Sequence, residues 1–239
     1  MNAQHASIGG LSNPSKMPTL SYSTPPASTC GVGSALAEKE GTICSDCYAR
    51  KGTYLFASTR EAMARRDSIL RAALASPEAL AQWVADFVGI MRKRFAATAR
   101  LIKRTGRPGR DDGRFFRWHD AGDLVSGAHL AAIVAIAEAT PEVSYWLPTK
   151  ESGRVRQFLA EGKRFPSNLR VRLSVSRTDA PTPPAFLKMR ALDPQISFAG
   201  AHTDAPASGF VACIAPRQDG ACRDCRACWG DAAVSYNLH

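Results

Sequence analysis

Short apolar segments alternate with longer helical patterns through the second half of the 239-residue chain. Helical patterns at 126–140 and 152–161 lie between successive apolar segments. Strands that are connected by helices in this way form parallel βαβ units. The five or six strands expected are too few for a closed eight-stranded barrel, so the sequence predicts an α/β fold, a partial (β/α) barrel with parallel strands. The expected strands lie at 17–24, 114–119, 143–147, 169–175, 195–199 and 210–214.

Local composition divides the chain into three regions. The first residues are polar and contain Gly9-Gly10 and Asn13-Pro14, which is typical of a flexible lead-in. Ser76-Pro77 predicts a helix start, because serine caps helices and proline suits the first helical position. We expect a lead-in at 1–16, a partial α/β barrel at 17–210 with a metal loop at 30–47 and a helical insertion at about 58–104, and a cysteine-rich metal-binding tail at 211–239.

Seven cysteines fall into two groups near opposite ends of the chain. The sequence shows no signal peptide and no apolar run long enough for a membrane span, so we expect a cytoplasmic protein without a membrane partner. In a reducing compartment, cysteines two residues apart more often bind metal or do redox chemistry than form disulfides. The N-terminal cysteine group is Cys30, Cys44 and Cys47, and the C-terminal cysteine group is Cys213, Cys222, Cys225 and Cys228.

The two groups predict different metal sites. Three thiolates without a fourth leave an open coordination position, which suits catalysis or ligand binding. The N-terminal group could therefore hold a four-iron cluster with one open iron, or zinc with a further ligand from elsewhere in the chain. The C-terminal group has four thiols, enough for a closed shell around an auxiliary iron–sulfur cluster or a structural zinc, and His239 is a possible substitute ligand.

Polar residues follow the expected strands where the strands end. Ligands of parallel α/β sheets bind at these carboxyl ends. Two carboxylates and an imidazole at one strand end could transfer protons or bind a ligand amine or ribose, which makes His119, Asp120 and Asp123 the catalytic candidates. The alternative is a capped turn, with Asp123 or Ser126 as the helix cap. The cofactor-binding candidates are Asp120, Asp123, Thr149, Lys150, Ser176 and Arg177, and Cys30 and His202 should face the same opening.

The chain carries a formal net charge of +10, and its sequence pI is about 9.6. A basic surface favours a polyanionic partner, so a nucleic acid or nucleotide is the expected substrate, although a solvated basic face would give the same composition. The cations concentrate at Arg92, Lys93, Arg94, Arg100, Lys103, Arg104, Arg107 and Arg110.

Five segments together resemble an uncharacterised family of bacteriophage and prophage proteins, which would place this protein in the host cell cytoplasm. More distantly, a three-cysteine loop after the first strand and an acidic motif after the second resemble the radical S-adenosylmethionine enzymes. That resemblance implies a four-iron cluster on the N-terminal cysteine group, whose open iron binds S-adenosylmethionine. It also implies that 119–123 contacts the methionine amine and that the C-terminal cysteines hold an auxiliary cluster. The segments that carry the phage resemblance are 12–18, 44–52, 116–123, 145–150 and 222–229.

Three functions remain open at this point. The first is an iron–sulfur metalloenzyme of the radical S-adenosylmethionine type that modifies a nucleic acid or nucleotide. The second is a zinc-dependent base-exchange enzyme similar to the tRNA-guanine transglycosylases, which would use Asp120 or Asp123 as nucleophile. The third is a non-enzymatic protein in which both cysteine groups are zinc staples and the basic helix contacts nucleic acid.

Overall fold

The computed structural model describes residues 3–238, in which helices and parallel strands alternate from residue 77 to residue 202. The α-helices are α1 (Pro26–Thr29), α2 (Gly31–Ala37), α3 (Ala57–Ala73), α4 (Pro77–Thr105), α5 (Gly127–Ala139), α6 (Ser152–Ala160) and α7 (Pro184–Leu192). The strands are β1 (Ser21–Tyr22), β2 (Phe115–Trp118), β3 (Ser144–Thr149), β4 (Leu169–Ser174), β5 (Ile196–His202), β6 (Phe210–Ala212) and β7 (Ala233–Asn237).

The strands form one open sheet of seven, in the order β1-β2-β3-β4-β5-β7-β6, and every neighbouring pair is parallel. The predicted α/β class, the parallel pairing and the absence of closure are confirmed for the described residues. Strand β1 is shorter than expected, and β5 runs on through His202. Strand β7 was not expected at all, and it lies between β5 and β6.

Helices cover one face of the sheet. Phe116 and Trp118 of β2 point to this face, and their rings pack against Phe87 of α4 at 5.7 and 4.8 Å between centroids. Helices α4, α5, α6 and α7 lie side by side over the strands. The helix α4 begins where the sequence predicts, because Ser76 Oγ accepts a hydrogen bond from the Ala79 amide at 3.1 Å.

The crossover from β6 to β7, residues 213–232, covers the opposite face. Arg117 of β2 points to this side and stacks on Trp146 of β3, with 4.4 Å from the guanidinium carbon to the ring centre. The Trp229 ring packs on the same indole at 5.4 Å. The cysteine-rich segment is therefore not an appended tail, because the strands on either side of it belong to the main sheet.

The described part of the expected lead-in packs against the rest of the chain. Ile8 is fully buried in the main core. Gly9 then turns the chain with a φ of +79°, and a Cβ at this position would lie 3.0 Å from the Arg66 backbone. Ser12 pairs with Ser21 through two backbone hydrogen bonds of 2.8 and 3.0 Å. The polar composition of this segment did not indicate these contacts, which join it to the main core and to β1.

Candidate functional site

The N-terminal cysteine group gathers at the carboxyl end of the sheet. Cys30 precedes α2 directly, and Cys44 and Cys47 lie in one turn closed by a 3.3 Å backbone hydrogen bond. A Cβ at Gly33 would lie 3.0 Å from Cys30 Cβ and 3.6 Å from Cys44 Sγ, so the glycine leaves room for both side chains. All three are free thiols.

Burial keeps two thiols of this group, Cys30 and Cys44, protonated. Burial raises the pKa of Cys30 far above its usual value, and the nearby Asp123 carboxylate raises it further. Burial also raises the pKa of Cys44, whereas the Lys150 ammonium opposes that shift. Metal coordination requires thiolates, so binding an ion here would release protons.

Asp123 fastens the loop after β2 to the end of β3. Its carboxylate accepts hydrogen bonds from the Leu124 amide at 2.7 Å, Thr149 Oγ1 at 2.6 Å and the Lys150 amide at 2.8 Å. Burial raises the pKa of this carboxyl to about 6, against the lowering effect of those hydrogen bonds. The Asp123 oxygens that were expected to bind a cofactor or transfer protons therefore already accept hydrogen bonds within the protein.

Lys150 places an ammonium group near the thiols. Its Nζ donates to the Val175 carbonyl at 2.7 Å. Burial lowers the pKa of this lysine, whereas the cysteines and Asp123 raise it. Glu151, which the sequence analysis missed, accepts a 2.8 Å hydrogen bond from the Val32 amide and so caps the start of α2 beside Cys30. The sequence feature that could have indicated Glu151 is the charged pair Lys150-Glu151, which directly follows a buried strand.

Ser176 and Arg177 hold the cysteine loop through their backbone. The Ser176 carbonyl accepts from the Ile43 amide at 3.0 Å, and Arg177 forms an isolated bridge with Thr42. These contacts fix the approach to Cys44. Both residues lie at the carboxyl end of the sheet as predicted, and their expected role towards a cofactor stays a prediction.

Asp120 anchors the segment that follows the cysteine loop. Its carboxylate accepts from Ser21 Oγ and, at 3.1 Å, from the Tyr54 hydroxyl. Its carbonyl accepts from the Tyr48 hydroxyl, which in turn accepts from Arg117 at 3.0 Å. Asp120 thus joins β1 and β2 to the residues just after Cys47. The roles of Tyr54 and Arg117 were not predictable from the sequence, because neither residue belongs to a motif with the cysteines.

The two histidine candidates lie apart from the thiols. His119 has a φ of 53°, and its buried ring packs edge-on against His129 of α5 at 5.3 Å. Burial holds its pKa well below the usual value, so the imidazole is neutral. His202 belongs to β5, where its Nδ1 lies 2.8 Å from Ser235 Oγ of β7. It joins two strands and does not reach the cysteine loop by any described contact.

The C-terminal cysteine group lies in the crossover on the opposite face of the sheet. Cys222 and Cys225 share a turn closed by a 2.9 Å backbone hydrogen bond. Burial raises the pKa of Cys222 to about 11, and the other three thiols of the group add to that rise. Cys228 Sγ lies 3.2 Å from the Tyr236 hydroxyl. The other three thiols therefore lie close enough to Cys222 to affect its pKa.

Arg172 holds this crossover in place. The side chain is fully buried beneath the segment, and its guanidinium donates to carbonyl oxygens along it. Two of these bonds go to Cys228 at 3.1 Å and to Ala232 at 2.6 Å. The remaining acceptors are Ser197 Oγ and the carbonyls of Phe198, Ala227 and Gly230.

Within residues 3–238, no group of three or more His, Cys, Asp or Glu side chains is arranged to hold a metal ion. The metal-binding character expected of 211–239 is therefore not shown, and His239 lies outside the described residues. The thiols of each cysteine group are soft ligands of the type that binds zinc or iron–sulfur clusters. Their side chains do not, however, converge on a common centre.

Gly122 lets the loop after β2 approach the chain that leads to Cys30. Its φ is +84°, and a Cβ there would lie 2.0 Å from Thr24 Oγ1 and 2.7 Å from Thr29 Oγ1. Neither the backbone angle nor the space admits a side chain. The glycine of the Asp120–Asp123 motif is thus required for packing beside the N-terminal cysteine group.

We expect Gly122→Ala to lower the free energy of unfolding by about 2–4 kcal/mol, since the left-handed angle and the collision each cost about 1–2 kcal/mol. Urea denaturation measures this loss. Gly127→Ala is the matched control, because a Cβ at Gly127, in the first turn of α5, meets no atom within 4 Å. An equal loss in both variants would contradict the tight approach at Gly122.

In fold and site, the chain is an open-sheet α/β protein with one cysteine group at the carboxyl end of the sheet and a second one in the crossover between β6 and β7. The sequence model of the Gene product 88 family matches residues 2–231, and the chain belongs to that family. This membership is consistent with the phage-type resemblance of the sequence. No curated protein and no solved structure matches the chain significantly. Among the helices of residues 3–238, none combines the length and apolar character that crossing a bilayer requires.

Proposed function

We propose that this protein is a metalloenzyme that holds an iron–sulfur cluster on the N-terminal cysteine group, in the manner of the radical S-adenosylmethionine enzymes. One observation carries the proposal: three free thiols from two separate turns lie near one another at the carboxyl end of an open parallel sheet. Parallel α/β proteins bind their ligands at that end. Three thiolates on a four-iron cluster would leave one iron open for a ligand.

Lys150 is the residue best suited to orient an anionic ligand at this centre. Its ammonium is the cation that interacts with all three thiols of the group. A carboxylate, such as that of S-adenosylmethionine, would gain a charge-assisted hydrogen bond there. Bound S-adenosylmethionine would supply the reactive group for substrate modification, whereas the protein would position it and exclude water. Thr149, Ser176 and Arg177 form the neighbouring rim.

Asp120 and Asp123 take positioning roles in this proposal. Their carboxylates already accept hydrogen bonds from Ser21 and Tyr54, and from Thr149 and Lys150. The cysteine spacing of thirteen and then two residues is longer than the three and two of the resembled enzymes, and Tyr48 follows the third cysteine instead of preceding it. The long spacing is accommodated by α2, which separates Cys30 from Cys44.

The C-terminal cysteine group would hold an auxiliary iron–sulfur cluster or a structural zinc. It carries four thiols, and Arg172 and Trp229 fix the crossover against the sheet. A closed shell of four protein ligands suits an ion that binds no substrate. The base-exchange alternative is less favoured, because it needs an accessible aspartate, and Asp120 and Asp123 are only 4% and 5% exposed.

Anaerobic purification of the full-length protein tests the proposal. We expect a brown protein with iron and acid-labile sulfide, and we expect S-adenosylmethionine to change the electron paramagnetic resonance spectrum of the reduced cluster. A colourless protein that contains zinc and no iron would overturn the iron–sulfur assignment. Iron–sulfur clusters without any response to S-adenosylmethionine would keep the metal centre and remove the cofactor.

A further inference from the structure

The second half of α4 and the loop after it carry the most concentrated unpaired charge of the described chain. The sequence contains no aspartate or glutamate between Asp86 and Asp111. In the structure, seven exposed cations of this stretch form no salt bridge within the described residues, and five of them lie together at the end of α4 and in the loop that follows it. We call these five the basic segment, and they are Arg100, Lys103, Arg104, Arg107 and Arg110.

The loop folds back along the helix and so concentrates these charges. Gly106 ends α4 with a φ of 76°. A Cβ at Gly109 would lie 2.9 Å from Leu101 Cδ2, and one at Gly113 would lie 2.4 Å from the Arg94 carbonyl. The loop cations Arg107 and Arg110 therefore lie beside the helix rather than projecting away from it.

Neighbouring cations mark the limits of this surface. Arg94 is buried and pairs with Asp111. Arg114 and Arg226 both pair with the buried Asp112, at 2.9 and 3.4 Å. These three arginines are neutralised locally and so do not extend the basic segment.

We infer that the basic segment is a docking surface for the phosphate backbone of a nucleic acid. Arg100, Lys103, Arg104 and Arg107 follow one another at spacings of three, one and three residues, which places cations along one side of an exposed helix end. Rows of arginine and lysine neutralise successive phosphates and release counterions. Among the described residues, no large exposed hydrophobic side chain lies between 84 and 113, so the surface lacks the apolar anchors of a membrane-binding helix.

This surface lies at the opposite end of the sheet from the N-terminal cysteine group. Helix α4 leads into the start of β2, whereas the cysteines lie where the strands end. A strand of six residues such as β3 spans about 20 Å, which separates the two ends. Docking would therefore tether a nucleic acid without occupying the proposed metal site, and the inference does not rest on the proposed metal chemistry.

Fluorescence anisotropy with labelled DNA duplex, single-stranded DNA and RNA, titrated over a range of salt concentrations, tests this surface. The test variant is Arg100→Ala/Lys103→Ala/Arg104→Ala. We expect it to bind the preferred probe roughly tenfold to a hundredfold more weakly than wild type, with a shallower salt dependence because fewer counterions are released. Circular dichroism and metal content should remain as in wild type.

The matched control is Arg60→Ala/Arg156→Ala/Lys188→Ala, which removes three exposed cations from other helices. Both triples lower the net charge equally, so the control should retain wild-type affinity. Equal weakening by the two triples would overturn the inference in favour of a general charge effect. Wild-type protein that binds none of the three probes, or that binds vesicles of phosphatidylserine instead, would also overturn it.

Discussion

Replacement of Cys30, Cys44 and Cys47 together by serine is expected to abolish iron binding at the carboxyl end of the sheet. A serine hydroxyl stays protonated near neutral pH and is a poor ligand for iron, whereas a thiol loses its proton when metal binds. Loss of the open cluster would also abolish the response to S-adenosylmethionine. Iron, sulfide and zinc per chain, measured on anaerobically purified protein, give the result directly.

The C-terminal cysteine group provides the matched control for this variant. Cys222→Ser/Cys225→Ser removes two thiols from the crossover between β6 and β7 and leaves Cys30 and its neighbours intact. It should lose the metal of the crossover while it keeps the response to S-adenosylmethionine. Full retention of iron by the triple serine variant would show that the N-terminal group is not a ligand set. Loss of all metal in both variants would instead indicate one shared centre or a folding defect, which thermal denaturation distinguishes.

The strand ends were predictable because buried parallel strands read as short apolar runs. Asp123, Thr149 and Lys150 follow such runs, and their side chains and backbones meet as the strand-end rule predicts. What each residue does there was not predictable. The sequence identifies Asp123 as a carboxylate at a strand end, but only the structure shows its hydrogen bonds within the protein. The metal ligands proposed from spacing remain a prediction.

The sequence did not reveal which segment covers the second face of the sheet. Strand β4 alternates arginine with aliphatic residues, a pattern typical of a strand with one solvent-facing side. Arg172 is instead fully buried, because the crossover before β7 lies over it. Periodicity along one strand reports which residues share a face, but it does not tell which distant segment will cover that face. For the same reason, the sequence did not predict β7, a short strand that follows the C-terminal cysteine group.

Arg172→Met is expected to lower the free energy of unfolding by about 3–5 kcal/mol, because it leaves several buried carbonyl oxygens without a donor. Methionine fills a similar volume and removes the guanidinium, so the loss reports hydrogen bonding more than packing. Four of the six acceptors lie in 227–232, in and around Cys228. We therefore also expect weaker metal retention by the C-terminal cysteine group. Urea denaturation and metal analysis after dialysis against a chelator measure the two effects.

Arg156→Met is the matched control for this substitution, since Arg156 lies exposed on α6. It should change the free energy of unfolding by less than about 0.5 kcal/mol and leave the metal content unaltered. If Arg172→Met were equally mild, the buried guanidinium would not be what holds the crossover on the sheet. A large loss of stability with full retention of metal would separate the two roles: Arg172 would then support the fold, while the four thiols would bind their ion without its help.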